Sequence, residues 1–289
     1  MPAKPTSGAL LVLTASVLWG TTGTAQTFAP PGVSPMAVGA ARMVIGGLAL
    51  VLWALVKGGW RGGPRWPVLP TLLATLGVAA YQLLFFAGVA RTGVAVGTIV
   101  GIGSSPILSG LLTWLIWRQW PGARWLAATG LALLGCTLLV LSGGGNVQVN
   151  VWGICLALGA GLSYAIFTMA GKILLAERPS HSVTGVVFGL GALLLLPLWW
   201  RLDMGWLAEP RGILVGLHLG VVTMAVAYLL FTHGLRRVSA ATAVSLTLAE
   251  PLTAGLAGIF VVGEQLGPAA WLGMGVLLAG LLVLTWQGR

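Results

Sequence analysis

The chain has 289 residues, of which 57% are hydrophobic and only 7% are charged, and its formal net charge at pH 7 is +10. A soluble domain carries roughly 25% charged residues, so this composition excludes a soluble globular protein and indicates an integral membrane protein. The basic residues do not cluster with aromatic residues as a nucleic-acid-binding face would require, and no nucleic-acid partner is expected.

Ten apolar runs of 18 to 25 residues can be marked along the chain. About 20 residues of α-helix cross the hydrocarbon core of a bilayer, so each run predicts one transmembrane helix of an all-α integral membrane fold. In chain order the runs are Gly8–Phe28, Met36–Val56, Val68–Ala90, Val94–Trp117, Ala123–Leu141, Val151–Leu175, Ser182–Trp200, Gly212–Leu235, Ala240–Val262 and Ala269–Trp286. The first run is longer than the roughly 7 to 15 residues of a secretory signal core, so we expect it to stay in the membrane.

The positive charges are distributed unevenly between the two sides of these helices. If the N-terminus is cytoplasmic, eleven basic residues lie on the inner side: Lys4, Lys57, Arg61, Arg65, Arg118, Arg124, Lys172, Arg178, Arg236, Arg237 and Arg289. Four lie on the outer side: Arg42, Arg91, Arg201 and Arg211. Cytoplasmic loops carry an excess of Lys and Arg, which predicts that both termini are cytoplasmic.

Helices one to three carry aromatic and charged side chains at unusual depths. Trp19 lies near the middle of helix one, although tryptophan is typical of the headgroup level, so it either packs between helices or faces lipid, or it lines a pocket. Arg42 lies nearly two turns into helix two, where it either extends to the membrane surface or anchors a carboxylate through paired hydrogen bonds. Tyr81 and Phe85 follow in helix three, and a mid-span tyrosine is easier to explain beside a polar path than against lipid.

Helix four has Ser104, Ser105 and Pro106 at its middle. Pro106 removes a backbone donor and clashes with the carbonyl group of Ile102, so a kink and a hinge are predicted there. The two hydroxyl groups either satisfy the freed backbone groups or contact a ligand.

Helix nine carries Glu250 and Pro251 near its middle. A charge and a helix breaker at bilayer depth are costly unless they are buried in protein or face a water-filled cavity. Glu250 is therefore a candidate ligand-binding residue, and Pro251 is a second candidate hinge.

The two halves of the chain are similar to each other. Pro106 and Pro251 are 145 positions apart, and Gly153 to Tyr164 repeats Gly8 to Trp19 at the same offset. Five helices is an odd number, so consecutive copies enter the membrane from opposite sides, as in the inverted repeats of secondary transporters. We place the first five-helix repeat at residues 1–145 and the second at 146–289.

In the second half, all remaining tyrosines lie within helices: Tyr164 in helix six and Tyr228 in helix eight. His218, in the outer third of helix eight, is either a hydrogen-bond partner between helices or a proton carrier. No His, Cys or Asp cluster has metal-ligand spacing and no nucleophile with an adjacent base is evident, so no metal, cofactor or catalytic residue is expected.

These residues resemble the drug/metabolite transporter superfamily, and within it the EamA-type ten-helix exporters. The matching features are Trp19-Gly20, Arg42, Ser104-Ser105-Pro106, Tyr164 with Lys172, and Glu250-Pro251. The resemblance implies a multi-pass protein of the bacterial cytoplasmic membrane, with helices one, three, four, six, eight and nine forming a basket around a central cavity and helices five and ten behind. The positions that would line the cavity are Trp19, Tyr81, Phe85, Ser104, Ser105, Tyr164, His218, Tyr228 and Glu250.

The chain looks most like the aromatic amino-acid exporters of that family. The leading hypothesis is export of aromatic amino acids, and of flat cationic or amphipathic toxic compounds, by rocking of the repeats about Pro106 and Pro251. Glu250 is hypothesised to exchange a proton during the cycle; alternatively, it is a permanently paired structural acid. The competing interpretations are a transporter of other metabolites, such as threonine- or cysteine-type amino acids, and a lipid-handling enzyme or scaffold with a dry core. The small-molecule substrate and the lipid bilayer are the expected partners, and the sequence does not indicate an oligomeric state.

Overall fold

The computed structural model describes residues 5–59, 65–142, 150–263 and 265–285. Within these ranges the chain forms helices and no strands, and ten helices are long and apolar enough to cross a membrane. We number them α1 to α10: Ser7–Thr27, Pro35–Val56, Val68–Gly93, Val96–Trp117, Gly122–Leu141, Val151–Glu177, Ser180–Trp199, Pro210–Leu235, Ala240–Val262 and Pro268–Thr285.

The ten predicted runs agree with these helices to within about three residues at each end, with helical structure in α1 reaching back to Pro5. A short 3₁₀ helix, Gly205–Ala208, precedes α8. The predicted boundary between the repeats, at residues 145 and 146, lies outside the described residues, as do Lys4, Arg61, Arg289 and Trp286. The membrane face at which α1 begins is called the N-face below, and the other is called the opposite face.

A tight reversal at Gly93 joins α3 to α4. Its φ of 80° and ψ of 164° lie in a region that favours glycine. A Cβ atom added to Gly97 would lie 2.9 Å from the Cα atom of Val89. These residues would be roughly 12 Å apart along a straight helix, so the chain turns back on itself here.

Close helix crossings display the inverted repeat. Gly8 of α1 packs against Gly234 of α8, and Gly153 of α6 packs against Gly88 of α3. Gly8 and Gly153 are 145 positions apart in sequence, and Gly88 and Gly234 are 146 apart. The same crossing is therefore formed twice, with the two repeats exchanging roles.

Helices α5 and α10 pack on each other outside the central group. Gly135 of α5 approaches the backbone of Leu277 in α10, and Gly280 of α10 approaches the backbone of Ala132 in α5. Gly280 lies 145 positions after Gly135, and Leu277 lies 145 positions after Ala132, so the two contacts are related by the repeat. Only glycine permits backbones to approach so closely, as at other small-residue crossings in membranes.

Helices α8 and α9 are irregular where their first-repeat counterparts are not. Residues His218–Val226 of α8 and Gly258–Val262 of α9 are π-helical, a form that is rare and often found at functional sites. Helix α9 is also interrupted between Ala240–Leu246 and Ala249–Ala257. In the first repeat, α3 is α-helical up to Gly93. Helix α4 is α-helical after the reversal and continues without interruption through Pro106.

Polar contacts join the helix ends at the N-face. The Lys172 ammonium group of α6 donates to the carbonyl oxygens of Leu235 and Val238, at 2.6 and 2.8 Å, at the end of α8. Lysine side chains near helix ends commonly extend to the membrane surface, but here α8 ends within reach of Lys172 and presents carbonyl groups to it. The Arg178 guanidinium group also lies 3.9 Å from the ring centre of Trp66, next to the start of α3. The N-face ends of α3, α6 and α8 are thus held together.

Candidate functional site

A cavity lies at the centre of the helix bundle, at mid-membrane depth. Its lining comes from α1, α3, α4, α6, α8 and α9, as expected for the basket, together with one residue of α2. The lining residues are Trp19, Arg42, Tyr81, Ile102, Ser105, Tyr164, Tyr228, Thr247 and Glu250.

Eight of these nine residues form pairs related by the sequence repeat. Trp19 and Tyr164, Ile102 and Thr247, and Ser105 and Glu250 are each 145 positions apart, and Tyr81 and Tyr228 are 147 apart. The remaining residue is Arg42, whose counterpart at the offset of 145 is the buried Val187. The cavity wall is thus nearly symmetric in shape, whereas its two charges, on Arg42 and Glu250, have no counterparts.

Aromatic rings form most of the wall. The ring centres of Trp19 and Tyr228 are 4.8 Å apart, those of Tyr81 and Tyr164 are 5.5 Å apart, and Trp19 meets Tyr164 edge to face at 6.5 Å. The buried Phe188 packs at 4.4 Å behind Tyr228. These separations are typical of favourable ring pairs, so the rings hold one another in place around the cavity.

Arg42 and Glu250 give the cavity one positive and one negative group. Both side chains are half-buried, and they attract each other through space, but no hydrogen bond or ion pair joins them. One guanidinium nitrogen of Arg42 donates to the backbone oxygen of Thr223, at 3.3 Å. This bond holds Arg42 towards the bundle interior, so it does not extend to the membrane surface.

Three buried polar atoms of the cavity lining have no hydrogen-bond partner within 3.5 Å among the described residues. They are the indole Nε1 of Trp19, the Nε of Arg42 and the hydroxyl oxygen of Tyr164. Buried polar groups in native proteins are nearly always hydrogen-bonded to protein, water or ligand. The cavity therefore has donors available for an acceptor group such as a carboxylate.

The interruption of α9 positions Thr247 and Glu250 on the cavity wall. The backbone N–H groups of Thr247, Leu248 and Glu250 each donate to the carbonyl group three residues earlier, which tightens the chain just before Pro251. Glu250 consequently lies in the first turn of the second helical segment, where the helix dipole stabilises a negative charge. Discontinuous helices of this kind are typical of transporter binding sites.

The cavity is small in this conformation. It has about 30 Å³ of room for water-sized molecules, which corresponds to one or two waters. Ligand pockets for molecules of drug size are roughly 300 to 1,000 Å³, so the ring wall must expand before an amino acid can enter.

Three residues predicted to line the cavity lie elsewhere. Phe85 stacks on Tyr81 at 5.5 Å and so supports the wall from behind. Ser104 packs against Gly161 of α6. His218 lies nearer the opposite face, where its Nε2 is 2.9 Å from the hydroxyl oxygen of Thr21. His218 thus joins α8 to α1, which is the structural alternative that the sequence left open.

Ile102 and Thr247 line the cavity but were not predicted. Each lies three residues before a predicted lining residue, Ser105 and Glu250 respectively, and so lies on the same helix face. Ile102 and Thr247 could have been predicted, because each lies one helical turn before a predicted lining residue and the two are 145 positions apart.

A metal centre is not apparent in the described part of the chain, where no three His, Cys, Asp or Glu side chains gather around a common point. The side chains that line the cavity can recognise a ligand by charge, hydrogen bonding and ring contact.

Comparison with known proteins places these features in a family. The model of the EamA-like transporter family matches the chain twice, at residues 6–141 and 151–286. An uncharacterized transporter of Bacillus subtilis, YwfM, is 44% identical over 281 residues, which cover 96% of this chain and 93% of YwfM. The uncharacterized inner membrane transporter YicL of Salmonella typhimurium is 25% identical over 98% of this chain and 96% of YicL.

Two further similarities concern substrate and fold. The threonine/homoserine exporter RhtA of Escherichia coli is 31% identical over 162 residues, which cover 54% of this chain and 52% of RhtA. A solved crystal structure superposes with a TM-score of 0.81 over 96% of both chains, at 20% identity, which supports the fold alone.

Proposed function

The chain belongs to the EamA-like transporter family, and we propose that it exports zwitterionic amino acids with aromatic side chains across the bacterial cytoplasmic membrane. Membership of the family makes it a membrane transporter. The names of YicL and of YedA of Escherichia coli, both inner membrane transporters, support the location. The resemblance to aromatic amino-acid exporters stays a prediction.

The observation that carries this proposal is a pair of unjoined opposite charges in a ring-lined cavity. An α-amino acid has a carboxylate and an ammonium group on one carbon atom. Arg42 would bind the carboxylate and Glu250 the ammonium group, while Trp19, Tyr81, Tyr164 and Tyr228 would contact an aromatic side chain. Charge-assisted hydrogen bonds of this kind are about twice as strong as neutral ones.

Transport would follow from relative movement of the two repeats. The N-face ends of α6 and α8 are held together by Lys172 in this conformation. On the opposite face, Gly20 of α1 packs closely against Thr253 of α9, and beyond this contact a pocket lies between the ends of α1, α8 and α9. If the N-face ends opened and the space between α1 and α9 at the opposite face closed, the cavity would be exposed to the N-face, with Pro106 and Pro251 as hinges.

The test is to vary the charges of the protein and the ligand together. Tryptamine lacks the carboxylate of tryptophan, and indole-3-propionate lacks the ammonium group. Arg42→Gln should weaken tryptophan binding roughly 10- to 150-fold and leave tryptamine binding unchanged. Glu250→Gln should weaken tryptophan binding similarly and leave indole-3-propionate binding unchanged. Titration calorimetry on the purified protein measures all four affinities.

Arg201→Gln is the matched control, because Arg201 is an exposed arginine that lies outside the cavity. It should bind all three ligands as the wild type does. Equal losses for the charged and the truncated ligands in the Arg42 and Glu250 variants would contradict the assigned roles.

The second candidate substrate is a small hydroxy amino acid. The similarity to the threonine/homoserine exporter RhtA over half the chain supports it. Threonine would use the same two charges, but its side chain gains little from the rings. Tighter binding of threonine than of tryptophan or phenylalanine would favour this candidate.

A lipid-handling enzyme or a scaffold with a dry core fits the site less well. The aromatic and polar mid-span residues converge on one cavity, whereas either alternative predicts a dry core without such a cavity. Membership of a transporter family points in the same direction.

A further inference from the structure

A second, larger pocket opens near the opposite face, between α1, α8 and α9. Its volume is about 770 Å³, within the range of sites that bind a drug-sized ligand. Ten residues line it: Thr21, Thr24, Ala25, Phe28, Arg211, Leu214, Val215, His218, Ala257 and Val261. We call it the side pocket.

The walls of the side pocket are largely apolar. Phe28, Leu214 and Val261 of its lining are exposed, and all three lie in or next to membrane-spanning helices, so we expect the side pocket to open towards the bilayer. Thr21 and His218 inside it are hydrogen-bonded to each other. An apolar space does not favour water, so within a bilayer the side pocket is suited to an apolar occupant.

Arg211 gives the side pocket one positive charge at its mouth. It is exposed, it follows Pro210 at the start of α8, and it forms no ion pair with a carboxylate of the described residues. The start of α8 lies at the end of the membrane span, where headgroups are located. A guanidinium group pairs with phosphate through two parallel hydrogen bonds, so the mouth is complementary to a phosphate group.

A bulkier residue stands at a repeat-related position on the N-face. Thr24 of the side pocket corresponds, at the offset of 145, to Met169 of α6. Met169 is buried, and its sulfur atom accepts a hydrogen bond from Thr113 of α4, at 3.7 Å. The methionine side chain thus packs between α6 and α4 at the N-face, whereas the side pocket is open between α1, α8 and α9.

We propose that the side pocket binds an acyl chain of an anionic phospholipid, with the phosphate group of that lipid against Arg211. The acyl chain would lie along Phe28, Leu214 and Ala257. A chain in this position separates α1 from α9, and it would have to leave before these helices could close on each other. This lipid would stabilise the conformation described here, whatever substrate the central cavity takes.

Native mass spectrometry of the purified protein tests the proposal, with phosphatidylglycerol and phosphatidylcholine of identical acyl chains as probes. The wild type should retain one phosphatidylglycerol molecule in preference to phosphatidylcholine. Arg211→Gln should reduce that preference about fivefold, the effect of one basic residue at a membrane surface. Ala257→Trp should reduce retention of both lipids, because the indole ring occupies the pocket.

Arg201→Gln is the matched control, since it removes a charge from the same membrane face but outside the side pocket. It should retain phosphatidylglycerol as the wild type does. Thermal unfolding verifies that Ala257→Trp remains folded, and Ala25→Trp on the facing helix replaces it if it does not. Wild-type lipid preference in Arg211→Gln, or an equal loss in Arg201→Gln, would overturn the proposal.

Discussion

Arg42 and Glu250 are the residues at which the central site departs from the symmetry of its repeats. Their counterparts in the other repeat are Val187 and Ser105, neither of which carries a charge. A symmetric wall with an asymmetric charge pair orients a zwitterion in one way only. We therefore expect the substrate to keep one orientation in the site while the helices move around it.

The charge on Glu250 predicts a pH dependence of substrate binding. A carboxylate attracts the substrate ammonium group, whereas a protonated carboxyl group does not, so tryptophan affinity should fall as the pH is lowered. The other charged or titratable groups around Glu250 are Arg42, Tyr81, Tyr164, Tyr228 and Cys136. In water, Arg and Tyr keep their charge state between pH 4 and 8, and a thiol is neutral at acidic pH.

Binding measured between pH 4 and 8, a range that includes the ordinary pKa of a glutamate carboxyl group, checks this prediction, with Glu250→Gln as the comparison. The variant should show a weak and pH-independent affinity. An unchanged slope in Glu250→Gln would mean that another group takes up the proton and that Glu250 is a structural acid.

Trp19 predicts how the site distinguishes aromatic from aliphatic substrates. Each ring pair contributes about 0.5 to 1.5 kcal/mol beyond burial, so Trp19→Leu should weaken tryptophan binding roughly 2- to 12-fold. Threonine binding should not change. Trp200→Leu, in which an exposed tryptophan is replaced, is the control, and calorimetry with both ligands is the measurement. Equal losses for threonine and tryptophan would show that Trp19 only shapes the cavity.

The α5–α10 crossing predicts paired effects on stability. A methyl group on Gly135 would meet the backbone of Leu277, and one on Gly280 would meet the backbone of Ala132. Overpacking typically costs about 1 to 3 kcal/mol, so Gly135→Ala and Gly280→Ala should each lower the thermal midpoint in detergent. Gly130→Ala and Gly275→Ala, on the same two helices but facing open space, should not lower it. A loss at only one of the two crossing glycines would contradict the symmetric packing.

The ammonium group of Lys172 predicts which membrane face is closed. Lys172→Met removes two hydrogen bonds to the end of α8, and the N-face should open more often. The reporter is Thr168→Cys, a buried α6 position, in a chain whose native cysteines are replaced by alanine. Labelling by an impermeant maleimide from the N-face should rise about tenfold, as expected for loss of charge-assisted bonds.

Lys57→Met is the control for labelling at this face, because Lys57 is exposed and lies over Trp53. Its labelling rate should match that of the parent. A rate in Lys172→Met that also matches the parent would show that Lys172 does not hold the N-face closed.

The helices could be predicted from the sequence because each apolar run has the length of a bilayer crossing. Trp19, Tyr81, Tyr164 and Glu250 could also be selected as candidate lining residues, because such side chains are unusual in the middle of an apolar helix. The break in α9 before Pro251 was expected only as a hinge, and the π-helical parts of α8 and α9 were not expected at all. Such irregularities depend on how neighbouring helices pack, and this packing cannot be predicted from the residues of one helix alone.

At the scale of the whole molecule, the conformation could not be predicted from the sequence. Both repeats carry the same glycine crossings, so the sequence is compatible with opening at either face. The structure shows the N-face ends joined through Lys172 and a side pocket between α1, α8 and α9 at the other face. The size of the central cavity also depends on this conformation, so composition and spacing do not determine it.

The distribution of positive charge still predicts the orientation of the molecule, with both termini in the cytoplasm. Residues 5 and 285, near the ends of the described chain, are separated by ten membrane crossings, so they lie on the same side. We expect a fluorescent protein fused to the C-terminus to be bright in a bacterial host and a periplasmic phosphatase fused there to be inactive. An active phosphatase would invert the orientation.

Counterflow in proteoliposomes tests the central claim most directly. Vesicles loaded with unlabelled tryptophan should accumulate labelled tryptophan from outside, because a carrier exchanges substrate whatever the direction of net flux. Glu250→Gln and Arg42→Gln should greatly reduce the accumulation at tryptophan concentrations near the wild-type dissociation constant, and Arg201→Gln should preserve it. If loaded tryptophan and phenylalanine drive no exchange with the wild-type protein, the assignment of the central cavity to aromatic amino acids is contradicted.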